Sequence, residues 1–272
     1  MSKKGENMNF TMFYPDQTIC NNINDFVKCY NQLYFYDTNT SVAAEKLSDN
    51  LINQTKFEKE DVFNILAWKI DGIAVNSTIS PNEIRYKRKW RVENGKFYGD
   101  NIYHELKMNS VISYVSKNSE RWLAHWDNKE IGYDPKCAQN VVSEIVSLTN
   151  KQSDTYLGEV YIVALLYFVS KGRWPIFDRF ASIAMNAMIN PKMKPYDNVV
   201  DTKLPQKNSI AFSQKITTVG KYADYLHFIK VIQSESDYQY CISRDIDRAL
   251  WAYGKIVNKW SKIKENSQKQ KY

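Results

Sequence analysis

Glycine and proline are scarce in this chain, since its 272 residues include 9 Gly and 7 Pro. An all-β protein needs a turn signal every few residues, so this scarcity argues against one and favours helices. Cysteine is also rare, and no CxxC pair occurs, which argues against a zinc site and against a disulfide framework. We expect reduced, buried thiols at the four cysteine positions, Cys20, Cys29, Cys137 and Cys241.

Apolar runs of membrane-spanning length are absent as well, because no stretch of about 18 apolar residues exists. No N-terminal succession of basic, apolar and small residues marks secretion. These absences predict a cytoplasmic protein without a membrane segment. The chain has 3 His and lacks HExxH, GxSxG and P-loop motifs. We therefore find no support for metal, Ser/His/Asp or nucleotide-cofactor enzymes, and we expect no metal and no cofactor.

Apolar and positively charged residues are plentiful. Hydrophobic residues make up 43% of the chain, with 7 Trp, 19 Tyr and 12 Phe, which is enough apolar surface to predict a compact fold.

The net charge of +7 suits a polyanion partner, because lysines and arginines release counterions from phosphates. The densest positive run is Arg85–Arg91, which is either a solvated loop or a phosphate-contacting loop. We expect a monomer with no obligate protein partner.

The spacing of apolar residues predicts an all-α fold built as one helical domain over residues 19–265. Residues 1–18 and 266–272 are predicted to be flexible ends. The segment Ile189–Gln206 contains three prolines and is predicted to be an extended surface loop. The predicted helices are Ile23–Tyr36, Val42–Ile52, Val62–Ile73, Ile102–Ser116, Glu120–His125, Ala138–Leu148, Val160–Val169, a helix from about Asp178, Val219–Ile232 and Arg244–Ile263.

One segment, Thr155–Met188, is the most informative. Gly158 permits the positive φ of a tight connection between helices, so Leu157–Val160 predicts a short hairpin. The apolar helix that follows ends at Lys171-Gly172-Arg173, a glycine cap flanked by cations. Trp174-Pro175 is expected to be extended, and a new helix is expected to begin at about Asp178.

The sequence LGEVYIVALLYF, followed by a basic turn and then PIFDRFA, resembles the helix-hairpin-helix and following aspartate of the DNA glycosylase superfamily. That superfamily includes 8-oxoguanine and alkyl-base glycosylases. The segment is also similar to bacterial proteins with an 8-oxoguanine-glycosylase-like fold, some of which act against phages with modified DNA. The resemblance implies a two-lobed helical glycosylase fold, and it implies double-stranded DNA with a modified base as the partner.

The resemblance also assigns roles to residues. It implies that backbone N–H groups of the hairpin, at Gly158, Glu159 and Val160, hold a DNA phosphate, as an exposed helix N-terminus can. It implies that Asp178 is the catalytic carboxylate, which would stabilise the oxocarbenium-like sugar cation and orient the attacking water. The alternative is that Asp178 only caps the helix after it. The predicted phosphate contacts from the basic turn and that helix are Lys171, Arg173 and Arg179, although Arg173 could equally be an exposed cation at the helix end.

Three departures from the family pattern bear on the expected activity. Val160 replaces the customary second glycine of the hairpin, and the segment leading to Asp178 is a few residues shorter than usual, so the phosphate grip would be altered. Ile162 stands where strand-cutting members of the family carry a nucleophilic lysine. An isoleucine side chain forms no Schiff base, so we predict a monofunctional glycosylase that leaves the strand intact.

A flipped base is held by aromatic faces and edge hydrogen bonds, so aromatic residues near the motif are candidates for the base pocket. The alternative for each of them is a core position, which is common for aromatics at helical spacing. In the loop Ile189–Gln206, Tyr196 and Asp197 would contact a large modified base, unless the loop is an ordinary surface connection. The candidates are Trp122, His125, Trp126, Asp127, Trp174, Phe177 and Tyr196.

Several functions therefore stay open at this stage. The first is excision of a hypermodified cytosine from phage DNA, such as glucosylated hydroxymethylcytosine, as antiviral defence. The second is repair of oxidised or alkylated purines. The third is DNA binding by a helix-hairpin-helix protein without catalysis, which would tolerate loss of Asp178. The fourth is a structural helical domain bound to another protein, which predicts no salt-dependent DNA affinity.

Overall fold

The computed structural model describes residues 10–36, 39–71, 90–93, 96–99, 102–127, 159–189, 220–238 and 244–269. These residues are mostly helical, which confirms the predicted helical class. The helices are α1 (Ile23–Tyr36), α2 (Asn39–Leu51), α3 (Lys59–Asp71), α4 (Ile102–Asp127), α5 (Glu159–Val169), α6 (Arg179–Ile189), α7 (Gly220–Ser234) and α8 (Asp245–Lys269). The strands are β1 (Met12–Phe13), β2 (Ile19–Cys20), β3 (Trp90–Glu93) and β4 (Lys96–Gly99).

The chain divides into two compact units. The terminal unit comprises Met1–Tyr36 and Phe177–Tyr272, and the middle unit comprises Asp37–Ile176. The division falls inside the glycosylase-like segment, between α5 and α6. The basic turn after α5 therefore belongs to the middle unit, and Asp178 belongs to the terminal unit.

In the terminal unit, α8 packs against both α1 and α6. The apolar stripe of α8 contributes Tyr253, whose ring lies 5.1 Å from those of Phe26 and Tyr30 on α1. All three side chains are at most 1% exposed, so this aromatic cluster is the centre of the unit's core. The Tyr30 hydroxyl is satisfied there, because it donates to the carbonyl oxygen of Phe13 at 2.7 Å. Burying a tyrosine requires such a partner for its hydroxyl.

In the middle unit, α5 is the buried helix. Its sequence is apolar on every side, and each residue from Val163 to Ser170 is buried. A helix that is apolar all round belongs inside a protein rather than on its surface. Around it, the Phe168 ring lies 6.0 Å from that of Trp68 on α3, and the hydroxyl groups of Tyr167 and Ser48 are 2.9 Å apart. The end of α5 is thereby fixed by both apolar and polar contacts.

The structure differs from the predicted boundaries at both ends of the described chain. Met12 and Phe13 were predicted within a flexible end, yet they are buried and pair with Cys20 and Ile19 in an antiparallel hairpin. At the other end, α8 continues to Lys269, so the flexible end predicted from residue 266 begins too early. Local composition suggested frayed ends, whereas the structure has a strand pair at one end and a continuing helix at the other.

Two predictions inside the chain also need correction. The helices predicted at Ile102–Ser116 and Glu120–His125 are one continuous helix, α4, because the intervening Ser119 is buried and bonded rather than exposed. Its hydroxyl donates to the carbonyl oxygen of Ser116 at 2.9 Å and accepts from the backbone N–H of Phe57 at 2.9 Å. The loop predicted at Arg85–Arg91 ends in strand β3, which pairs antiparallel with β4.

Three other predicted segments lie outside the described residues. They are the helix Ala138–Leu148, the hairpin residues through Gly158, and the loop Ile189–Gln206 beyond its first residue. Cys20 and Cys29 are free thiols, and Cys20 is the buried one of the two. Among the helices described, none combines the length and the apolar character that crossing a membrane would require.

Candidate functional site

The basic turn after α5 is closed by a pair of nested backbone hydrogen bonds. The N–H of Gly172 donates to the carbonyl oxygen of Tyr167 at 2.8 Å, and the N–H of Lys171 donates to that of Phe168 at 3.0 Å. This is the Schellman arrangement, in which the residue after the cap adopts the left-handed conformation. Here Lys171 is that residue, with φ of 52°, and Gly172 follows with φ of 75°.

The two left-handed residues differ in what they tolerate. The left-handed backbone conformation favours glycine at Gly172, and a Cβ atom there would lie 2.8 Å from the Cδ1 atom of Ile52, so the end of that side chain would have to shift. Lys171 carries a side chain in a conformation that disfavours one by about 1–2 kcal/mol. The sequence prediction placed the glycine as the helix cap, whereas the structure gives that position to Lys171.

The chain then runs inward to Trp174. The Ser170 hydroxyl donates to the carbonyl oxygen of Tyr167 at 3.1 Å and accepts from the backbone N–H of Trp174 at 3.0 Å. Trp174 is 3% exposed, and Pro175 and Ile176 after it are also buried. Lys171 and Arg173 are half-buried at the surface end of this turn. The predicted phosphate contacts of the turn therefore have partial solvent access.

Asp178 caps helix α6. Its Oδ1 atom accepts from the backbone N–H of Phe180 at 2.9 Å and from that of Ala181 at 3.1 Å, and its carbonyl oxygen accepts from Ser182 at 2.9 Å. The capping role that the sequence left open is therefore present. Both N–H groups donate to the same oxygen, Oδ1, and together they fix the orientation of the carboxylate.

The first turn of α6 lies against α8 at close range. A Cβ atom on Gly254 would collide with the carbonyl oxygen of Phe180 and would lie 2.7 Å from its carbonyl carbon. Glycine is therefore the residue that lets the two backbones approach. The Phe180 ring meets that of Trp251 edge-on at 5.4 Å. These contacts fix the start of α6, and with it the position of Asp178.

Arg179 is the first residue of α6, and its guanidinium is also tied to α8. Its Nη2 donates to the Oδ1 of Asn258 at 2.9 Å, and its guanidinium carbon lies 5.9 Å from the centroid of the Phe180 ring. Lys255 lies one turn before Asn258, with Nζ 4.8 Å from the centroid of the Trp251 ring. Burial, followed by repulsion from Lys259, lowers the pKa of Lys255.

Three of the predicted base-pocket aromatics are core residues. Trp122 is 5% exposed, and Phe177, 1% exposed, stacks on Tyr225 with the ring centroids 4.4 Å apart. Trp174 is buried as described above. Their side chains offer no open face to a base as they are packed here, in agreement with the structural alternative. We therefore remove these three from the proposed pocket.

The other predicted site residues divide by where they fall in the described chain. His125 is exposed in the last turn of α4. The helical backbone of Trp126 and Asp127 is described but their side chains are not, and the same holds for Glu159, Val160 and Ile162 on α5. Gly158, Tyr196 and Asp197 lie outside the described residues.

Comparisons with protein-family models, with curated proteins and with solved structures gave no match. Within the described part of the chain, no three histidine, cysteine, aspartate or glutamate side chains form a group that could hold a metal ion.

Sequence reasoning did not find the residues of α8 that surround the start of α6, namely Trp251, Gly254, Lys255, Asn258 and Lys259. A glycine in the middle of an amphipathic helix is the signal that could have drawn attention to this stretch. The sequence does not indicate which backbone lies against that glycine.

Proposed function

We propose that the protein is a monofunctional DNA glycosylase with Asp178 as its catalytic carboxylate. The observation that carries the proposal is the fixed orientation of Asp178, whose Oδ1 accepts from two backbone amides at the N-terminus of α6. A preorganised charge of this kind stabilises a developing opposite charge without having to reorient during the reaction. The resemblance of Thr155–Met188 to the glycosylase motif supports the same residue.

The proposed chemistry uses few groups. As the N-glycosidic bond breaks, its electron pair leaves with the base, and the sugar becomes oxocarbenium-like and positively charged. The Asp178 carboxylate stabilises that charge and orients a water molecule that attacks the anomeric carbon. The proton that the water loses passes to the departing base, so the products are a free base and an abasic site. Ile162 stands in place of a nucleophilic lysine, which supports hydrolysis without strand cleavage.

The charge of the protein suits a DNA partner. The net charge is +7, and Arg179 lies directly beside the proposed carboxylate with its guanidinium bonded to Asn258. Arginine binds phosphate through a planar fork of donors, and a guanidinium that is already positioned loses less freedom on binding. Lys171 and Arg173 on the basic turn and the amides of Gly158, Glu159 and Val160 are further proposed phosphate contacts.

For the substrate we propose a hypermodified cytosine of phage DNA, such as glucosylated hydroxymethylcytosine. The support is the resemblance to bacterial proteins, some of which act against phages with modified DNA, together with the three prolines of Ile189–Gln206, which predict a loop after α6. The second candidate function is repair of oxidised or alkylated purines, because the superfamily that the motif resembles includes 8-oxoguanine and alkyl-base glycosylases.

Incubation with a panel of modified DNAs tests the activity and the substrate together. Duplexes with glucosylated hydroxymethylcytosine, 8-oxoguanine or alkylated purines are incubated with the protein and then cleaved by alkali at abasic sites. We expect abasic sites in the glucosylated DNA. Excision confined to the other two DNAs would replace phage defence by repair, and abasic sites in none of them would leave DNA binding without excision as the function.

The variant Asp178→Asn separates catalysis from capping. Asparagine caps helices about as well as aspartate, so folding and DNA affinity should stay nearly unchanged. Excision should fall by about 100- to 1,000-fold, the loss typical of removing one group that stabilises transition-state charge. Undiminished excision in the folded variant would restrict Asp178 to its capping role.

Borohydride trapping tests the absence of a covalent intermediate. A glycosylase that uses a lysine nucleophile is trapped on its DNA as a reduced Schiff base, and this protein should not be. A trapped adduct would contradict the monofunctional assignment.

A further inference from the structure

The stretch of α8 beside the start of α6 carries a cluster of positive charge. We call its three cations, Arg179, Lys255 and Lys259, the α8 basic surface. Lys259 is exposed, and the other two are half-buried. From Lys255 to Lys269 the helix contains five lysines and one glutamate, so the positive charge continues along the sequence of α8.

The half-buried cations of this surface are positioned by an uncharged amide and an aromatic ring. Arg179 donates to the neutral amide of Asn258, and Lys255 lies over the Trp251 ring. Phe180 and Trp251 connect the two, because their rings meet edge-on at 5.4 Å. An aromatic face attracts a cation without neutralising it. The arrangement therefore positions one cation at the start of α6, next to Asp178 in sequence, and a second on the adjoining stretch of α8.

Placing these like charges together has an electrostatic cost in the absence of a partner. Repulsion from Lys259 contributes to the lowered pKa of Lys255, after burial. An anion bound across both side chains would relieve that repulsion. Four residues of helix advance by about 6 Å, so Lys255 and Lys259 lie one turn apart on α8.

We propose that the α8 basic surface binds the phosphodiester backbone of DNA and guides it past Asp178. The proposal rests on the proposed function in so far as DNA is the partner, and it adds contacts that the glycosylase-like motif does not contain. DNA is favoured over an acidic protein because Arg179 presents a positioned guanidinium, whose planar donors match phosphate oxygens. It also lies next to the residue proposed to act on the sugar.

Salt-dependent DNA binding tests the proposal with variants of equal charge. Each phosphate contact contributes roughly 0.9 to the slope of log K against log salt. The double variant Lys255→Gln/Lys259→Gln should therefore lower that slope by about 2. The control, Lys28→Gln/Lys230→Gln, removes the same charge from exposed positions on α1 and α7 and should leave the slope nearly unchanged. The variant Lys255→Arg/Lys259→Arg keeps the charge and should retain the wild-type slope. A lower slope would show that the packing of Lys255 on Trp251 also contributes to DNA binding.

The outcomes separate this proposal from the proposed function. Suppose that the wild-type protein binds DNA and that the salt slope of Lys255→Gln/Lys259→Gln equals that of the wild-type protein or that of the control variant. The α8 basic surface is then not a DNA contact, while the glycosylase proposal stands. If the wild-type protein binds polyglutamate but not DNA, both proposals are wrong and the surface binds acidic protein. Loss of excision with an unchanged slope in Asp178→Asn would leave this proposal unaffected.

Discussion

The two helix ends on either side of Trp174–Phe177 are closed in different ways. At the end of α5, backbone N–H groups of Lys171 and Gly172 bond back to the helix, and both residues are left-handed. At the start of α6, the side chain of Asp178 accepts from the first-turn amides. The first end depends on backbone conformation and space, and the second depends on a carboxylate. An end of the second kind can carry chemistry, because its cap is also a functional group.

The comparison suggests where substitutions should act. At Gly172 and Gly254 a neighbouring atom lies close to where a Cβ atom would be, so replacing either glycine by alanine should lower the free energy of unfolding. At Asp178 the carboxylate itself is proposed to be catalytic, so a polar replacement that still caps α6 should preserve the helix while lowering the activity. Lys171 is the exception at the first end, because a residue without a side chain would suit its conformation better.

Gly254→Ala should have the largest effect on stability. The added methyl group would collide with the carbonyl oxygen of Phe180, and separating α6 from α8 should lower the free energy of unfolding by about 3 kcal/mol. Thermal denaturation followed by circular dichroism measures the change. In a helix position with open space, the same replacement would raise stability by about 1 kcal/mol, so the sign alone is diagnostic. Equal or higher stability would mean that α6 and α8 do not approach so closely.

Gly172→Ala should cost about 2 kcal/mol, because it combines left-handed strain with a contact to Ile52. The double variant Gly172→Ala/Ile52→Val removes the Cδ1 atom that the new methyl group would meet. In a double-mutant cycle, Ile52→Val should recover the steric part of the loss and leave the strain. Additive effects of the two substitutions would show that Ile52 does not limit this position.

Much of the helical arrangement is predictable from the sequence, because it follows from local periodicity. The spacing of apolar residues predicted α1 at its observed bounds, Ile23–Tyr36, and placed the starts of α5 and α6 within one residue. The hairpin of β1 and β2 and the continuity of α4 were missed. Contacts between residues far apart in sequence accompany both, since Ser119 on α4 bonds to the backbone of Phe57, 62 residues away. Next to β1, the N–H of Thr11 donates to the carbonyl oxygen of Met188 at 2.8 Å.

The candidate site is predictable to a similar depth. The helix start at about Asp178 followed from local sequence and is confirmed, and the capping role, which the sequence left as an alternative, is observed. The close approach of Gly254 to Phe180 and the bond from Arg179 to Asn258 join residues far apart in sequence, and no local pattern reports them. Catalysis by Asp178 stays a prediction.

Asp178→Ala should destabilise the start of α6 by about 1 kcal/mol, the usual cost of removing a capping side chain. Asp178→Asn and Asp178→Ser should cost only a few tenths of a kcal/mol by the same principle. Amide hydrogen exchange at Phe180 and Ala181 measures the effect at the capped groups themselves. Protection in Asp178→Ala that equals that of the wild-type protein would show that the two observed bonds contribute little.

Lys171→Gly should have the smallest effect on stability and the opposite sign. Glycine adopts the left-handed conformation without strain, so the end of α5 should gain up to about 1 kcal/mol, reduced by the greater freedom of glycine in the unfolded chain. Lys171→Asn is the matched control, because asparagine tolerates this conformation better than lysine and also lacks the charge. Urea denaturation of the three proteins gives the order of stability.

The same variants sharpen the functional reading of Lys171. If lysine is kept in a strained conformation because it contacts a phosphate, Lys171→Gly and Lys171→Asn should both bind DNA more weakly, and the salt slope should fall by about 1 for one lost contact. Greater stability with lower affinity would then mark the residue as functional. Greater stability with unchanged affinity and slope would show that Lys171 faces away from DNA, and lower stability in Lys171→Gly would show that its side chain stabilises the turn.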